Sequence, residues 1–102
     1  MTRITEGNKS LEELTYTAMH PTRLKILSRL ENEPTYATKL EDLTGIDRKI
    51  VSFHLSVLER NGLLTSKFGL QNDPPKRPTA VRYYTLTPRG SEVLKRVRTV
   101  VK

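Results

Sequence analysis

Apolar residues recur at helical spacing along the first sixty positions and at alternating spacing after them. Leu11, Leu14 and Ala18 form a stripe behind Ser10-Leu-Glu-Glu13. That tetrapeptide is a capping box, in which a serine hydroxyl and a glutamate three residues on satisfy free backbone donors, and it predicts a helix from about Leu11 to Met19. His20-Pro21 interrupts, because the residue before a proline is pushed out of helical conformation whereas proline suits a first helical position. A second helix therefore starts at Pro21, with His20 placed to cap it. It turns Leu24, Leu27 and Leu30 inward with Ile26 at the flank, and stops at Asn32-Glu-Pro34. Thr35 is the expected cap of a short third helix, about Tyr36 to Leu43, with Leu40 and Leu43 facing inward.

Thr44-Gly45-Ile46-Asp47 is the most informative tetrapeptide. Glycine suits the left-handed residue that ends a helix and aspartate suits the cap of the next, so two helices meet at a tight turn. Ile46 and Val51 stand at hydrophobic-staple positions that set the direction of the fourth helix, which should end at Asn61-Gly62. Val51, Leu55 and Leu58, with His54 beside them, make one stripe of that helix. Lys49, Ser52, Phe53, Ser56 and Arg60 make another, so two faces of opposite character share it.

After Gly62 the period becomes two. Leu63 to Phe68 and Ala80 to Leu86 carry the β-branched and aromatic residues of strands and should pair as a hairpin, with Tyr84 and Leu86 on its core face and Tyr83 on the other. The connection 69–79 is far longer than an ordinary hairpin loop; Pro74, Pro75 and Pro78 stiffen it and Lys76 and Arg77 make it basic. Gly45, Gly62, Gly69 and Gly90 are each assigned to a turn or cap. Thr87-Pro88 starts a closing helix lined by Val93, Leu94, Val97, Val100 and Val101. This order of elements specifies a mainly α fold with one β-hairpin: a winged helix-turn-helix, residues 1–102 as a single domain with extended N- and C-terminal helices, 1–9 as a flexible N-terminus and 69–79 as the wing loop.

Charge sharpens the picture. Six Lys or Arg stand against eight Asp or Glu from Met1 to Asp47, and twelve against three from Arg48 to Lys102, so the second half carries the whole excess of +7. A polyanion is the expected partner of such a half. No apolar run reaches the length of a membrane span and Met1 to Ser10 lacks a secretory pattern, so a cytoplasmic protein without membrane contact is expected. Cysteine is absent, which removes disulfides, thiolate nucleophiles and cysteine-type zinc sites. His20 and His54 lack a histidine or carboxylate at i+3 or i+4. No nucleophile-base pair, phosphate-cradling glycine loop or carboxylate dyad presents itself, so neither an enzyme nor a cofactor or metal is expected.

Three strings carry a family resemblance: His20-Pro-Thr-Arg-Leu-Lys-Ile-Leu27, Val51-Ser-Phe-His-Leu-Ser-Val-Leu58 with Asn61-Gly-Leu63, and Tyr83-Tyr-Thr-Leu-Thr-Pro-Arg-Gly90. In this order and spacing, from about Met19 to Val97, the chain resembles the ArsR-like winged-helix regulators; the last string also occurs in MarR-like and PadR-like groups. The resemblance implies a homodimeric DNA-binding transcription regulator, usually a repressor, with the helix from Arg48 to Asn61 as reader and the hairpin as wing. It departs from the family's metal sensors, having no cysteines on the third helix and no carboxylate and histidine ligands near the last. Phe53 stands where a polar or basic reading residue is the rule.

The base-reading candidates are Lys49, Ser52, Phe53 and Ser56. Lysine can donate to guanine, serine can bond either partner, and phenylalanine can touch a thymine methyl. Arg48, Arg60, Lys76, Arg77, Arg82 and Arg89 are the candidates for the DNA backbone. For Lys49, Ser52, Phe53 and Ser56 the competing reading is an ordinary solvated helix face, and for the wing cations it is charge that deters strand pairing. Leu11, Leu14 and Ala18 with Val93, Val97, Val100 and Val101 exceed what a small core needs and could form a twofold interface; the alternative is that both helices pack on their own subunit. Two other functions compete with an operator-binding regulator: a winged helix serving as a protein-interaction module, and a non-selective architectural DNA coat.

Overall fold

The computed structural model describes residues 9–72 and 78–100. Its elements are α1 (Leu11–Ala18), α2 (Pro21–Asn32), α3 (Ala37–Thr44), α4 (Arg48–Arg60), β1 (Leu64–Gln71), β2 (Thr79–Leu86) and α5 (Pro88–Val100). This is the mainly helical fold with one antiparallel hairpin that the periodicities specify.

Both halves of the capping box form. The Ser10 hydroxyl accepts from the Glu13 N–H at 3.1 Å and the Ser10 N–H donates to the Glu13 carboxylate at 2.9 Å. His20 caps α2 through Nδ1, which accepts the Thr22 N–H at 3.1 Å, with Pro21 at the first position. α1 and α5 pack on each other, and α2 lies against α3, α4, α5 and β2. Side chains from every helix meet in one core: Leu14 and Ala18, Ile26, Leu27 and Leu30, Leu40, Val51, Leu55 and Leu58, and Val93, Leu94 and Val97, with Leu63 and Leu64 between helix and hairpin.

The third helix departs from expectation at both ends. Tyr36 rather than Thr35 precedes it, without a side-chain cap. Thr35 instead pairs its main chain with Tyr84, donating its N–H at 3.2 Å and accepting at 2.7 Å. A backbone bridge satisfies two polar groups in a buried setting where a cap would satisfy one. Leu43 is 42% exposed, because three residues of helix rotate it about 60° from Leu40, which alone fills the core.

The strands run further than expected. The ladder extends from Leu64↔Leu86 to Gln71↔Thr79 and includes Gly69↔Val81 and Leu70↔Ala80, so only 72–78 remains as connection. Prolines remove ladder donors at their own positions alone, which leaves Gly69 to Gln71 free to pair. Gly69 is therefore a strand residue lying under the Tyr83 ring, where an added Cβ would come within 3.0 Å of Cδ2. Tyr84 and Leu86 pack against the core as expected.

Gly90 also has a different reason from the one assigned. It lies buried in the first turn of α5, and a Cβ there would collide with the Leu63 carbonyl oxygen. Thr87 seals this junction, its hydroxyl donating to the Gly62 carbonyl at 2.8 Å and accepting from the Gly90 N–H at 2.9 Å.

Candidate nucleic-acid interface

The turn before α4 is built as its sequence requires. Gly45 ends α3 at φ +75°, its N–H donating to the Glu41 carbonyl at 2.8 Å, a conformation that costs glycine nothing. Asp47 caps α4 by accepting the Lys49 N–H at 2.9 Å, and the Glu41 carboxylate accepts the Arg48 N–H at 3.2 Å. Ile46 is half-buried against the core that holds fully buried Val51. α4 is thus clamped at its start.

α4 divides sharply. Val51, His54, Leu55 and Leu58 are buried, whereas Arg48, Lys49, Ser52, Phe53, Ser56 and Arg60 are all exposed. Phe53 is 59% exposed and Ile50, three residues before it on the same side, 49%. Ile50 escapes a reading based on polar positions, although its i, i+3 relation to Phe53 is visible in the sequence. Two exposed apolar side chains on a helix flanked by lysine and serines are costly for a solvated surface and suit contact with thymine methyls. The first turn of α4 holds no acidic residue. The carboxylates of Asp47 and Glu41 take up its first N–H groups, so phosphate contact at this end falls to the exposed side chains of Arg48 and Lys49. Arg60, at the opposite end, sits favourably against the helix dipole without any ligand.

On the wing, Phe68 pairs across the ladder with Arg82, whose guanidinium lies 4.8 Å from the ring centroid. Phe68 is 70% exposed, and Leu70 follows it on the same strand face. The ring and the cation attract each other at this distance, and the Arg82 side chain also reaches Tyr84 on the same strand face. Arg89 is exposed at the start of α5. Lys76 and Arg77 lie outside the described residues.

Four of the interface candidates are spent inside the chain itself: Leu14, Ala18, Val93 and Val97 are buried in its own core, where α1 packs on α5. The physical reason is that the two helices cover each other's stripes. Leu11 is half-buried, Val100 is 60% exposed, and Val101 lies outside the described residues. Tyr16 and Met19 add exposed apolar surface to α1.

The two histidines, unrelated in sequence, meet in space with ring centroids 4.7 Å apart. His54 is buried, its Nδ1 accepts the Arg23 Nε–H at 3.0 Å, and Phe53 packs edge-on against its ring at 5.2 Å. Burial first, then the charges of Arg23 and His20, hold the His54 imidazole below its usual pKa. Among the described residues no group of three or more His, Cys, Asp or Glu is placed to hold a metal ion, and no helix is long and apolar enough to cross a membrane.

Residues 18–67 match a helix-turn-helix domain family. Solved structures share the architecture across most of the chain. The transcriptional repressor BigR from Xylella fastidiosa superposes with a TM-score of 0.66 at 23% identity, covering 88% of this chain and 81% of that one. A predicted DNA-binding transcriptional regulator from E. coli gives 0.65 at 26% identity, covering 87% and 86%. A possible transcriptional regulator for arsenical resistance gives 0.62 at 26% identity, covering 86% and 82%. A search of curated sequences finds no match. The fold is that of winged-helix transcription regulators.

Proposed function

We propose that this chain is a sequence-specific, double-stranded DNA-binding transcription regulator, acting as a repressor on an inverted-repeat operator as a homodimer. The observation that carries the proposal is the exposed face of α4, where Lys49, Ile50, Ser52, Phe53 and Ser56 stand together on a helix clamped at its N-terminus. A face of this size and chemistry fits the major groove, which admits one α-helix. The Arg48 side chain takes phosphate at the start of α4 and Arg82 takes it from the hairpin, and the charges of Lys76 and Arg77 in the connection add to the attraction. The helix-turn-helix match and the regulators that share the fold support the same reading.

Dimerisation rests on what α1 and α5 leave uncovered. Leu11, Tyr16 and Val100 would meet their twofold equivalents, while Leu14, Ala18, Val93 and Val97 hold the two helices in register. Half-site centres then lie about one helical turn, roughly 10 base pairs, apart. A protein-interaction module would not need twelve cations against three acids from Arg48 onward, and an architectural coat would not need a distinct apolar reading pair.

The test compares affinity for a selected duplex and for random duplex across a salt series. A regulator shows a specificity ratio of about 10³ or more and a linear fall of log affinity with log salt. Equal affinity for both duplexes indicates an architectural coat, and no salt-dependent binding indicates a protein-interaction module.

A further inference from the structure

His54 occupies an unusual place on the reader helix. It is buried on the core face of α4, yet its ring is the surface on which exposed Phe53 rests, edge to face at 5.2 Å. Its other contacts come from outside the helix. Arg23 of α2 donates Nε–H to Nδ1 at 3.0 Å and, through Nη1, donates to the Thr17 carbonyl of α1 at 2.9 Å. His20, itself fixed as the α2 cap, lies 4.7 Å away ring to ring. A chain of contacts thus runs from the end of α1, through Arg23, to the side chain that reads DNA.

We propose that Arg23 and His54 are positioning residues for Phe53, the Arg23 bond fixing the imidazole plane and the imidazole fixing the phenyl ring at the base edges. The inference rests on the reading of α4 as the DNA-contacting helix. An exposed phenylalanine on a solvated helix ordinarily samples several rotamers, and freezing them on binding opposes affinity. A ring held from below before DNA arrives avoids much of that cost and gives one contact geometry, which is what discrimination between bases requires. The arrangement also fixes a protonation state. Nδ1 accepts a hydrogen bond, so the imidazole must be neutral with its proton on Nε2. Arg23 and His20 are the titratable groups whose charge reaches it, and both oppose a second cation there.

The test uses the full chain and its selected operator, with every single-base variant of one half-site. Phe53→Ala first identifies the position that Phe53 reads. Arg23→Met, which removes the Nε donor, should then relax preference at that same position by about threefold or more, close to 0.7 kcal/mol, and add nothing in a Phe53→Ala background. Arg23→Gln places an amide nitrogen where Nε stood and should restore the preference. In the unaltered protein the preference should weaken as pH falls through the His54 pKa, and heteronuclear NMR of the imidazole nitrogens should find Nδ1 unprotonated at neutral pH; these two measurements decide the matter even if Arg23→Met fails to fold. A protonated Nδ1, an Arg23→Met protein with unchanged preference, or one weakened evenly on all sequences overturns the positioning role while leaving α4 as reader. A Phe53→Ala protein that keeps every base preference overturns the reading of Phe53 itself, and the positioning role with it, before Arg23 is touched.

Discussion

Thr35 and Tyr84 exchange both main-chain hydrogen bonds, at 3.2 and 2.7 Å, and so tie the segment entering the helix-turn-helix to the strand that carries Arg82. The bridge joins the segment before α3 to the hairpin through main-chain bonds. Thr35→Pro removes the N–H and leaves the Tyr84 carbonyl without it. The expected loss is about 1–3 kcal/mol in urea unfolding, the cost of an unsatisfied buried acceptor. A change below about 0.5 kcal/mol would show that the bridge is incidental.

Gly90 lets α5 approach the Leu63 carbonyl closely. Gly90→Ala should therefore destabilise by about 1–3 kcal/mol despite the helical preference for alanine, because backbone must move to admit the methyl group. The measurement is the urea midpoint at unchanged m value. A stabilised Gly90→Ala protein would contradict the packing at this junction.

Helices α1, α2 and α4 were legible because their punctuation is local: the capping box at Ser10, the proline at 21, and Gly45 with Asp47 each act within a few residues. What the chain conceals is tertiary. Nothing near Thr35 indicates that its backbone will be claimed by Tyr84, forty-nine positions on, rather than by a helix start. Gly69 and Gly90 read as turn glycines because space occupied by a distant ring or carbonyl leaves no mark on neighbouring residues. The meeting of His20 with His54 is hidden for the same reason. For the candidate site, the exposed face of α4 follows from its period, whereas Ile50 is hidden among polar neighbours because a lone isoleucine there reads equally well as core.

The wing offers a contrast between stability and binding. Arg82→Gln removes an exposed cation and its contact with Phe68, so unfolding free energy should change by no more than about 0.5 kcal/mol. The salt slope of DNA binding should fall by about one per subunit, and replacing Lys76 and Arg77 together by about two. Salt titrations on specific and random duplex check this. A full salt slope in a variant that lacks Lys76, Arg77 and Arg82 together would remove the wing from the interface.

Acid should weaken the fold through His54. Its folded-state pKa lies below the ordinary value of about 6.5, so the unfolded chain binds the proton more readily. Stability contributed by the neutral imidazole is complete above that ordinary value and is lost as pH falls through the folded one. The difference in stability between the unaltered protein and His54→Asn, followed from pH 7.5 to 4.5, isolates this group from the carboxylates. The two curves should converge toward acid, and parallel curves would contradict the buried neutral imidazole.

The central claim, that the exposed face of α4 reads base edges, is tested most directly by selecting bound sequences from random duplex DNA with the unaltered protein and with Phe53→Ala in parallel. The account predicts a motif with twofold symmetry from the first, and from the second the same motif with preference lost at one or two positions in each half-site. Recovery of no motif, or of identical motifs from both proteins, would contradict it.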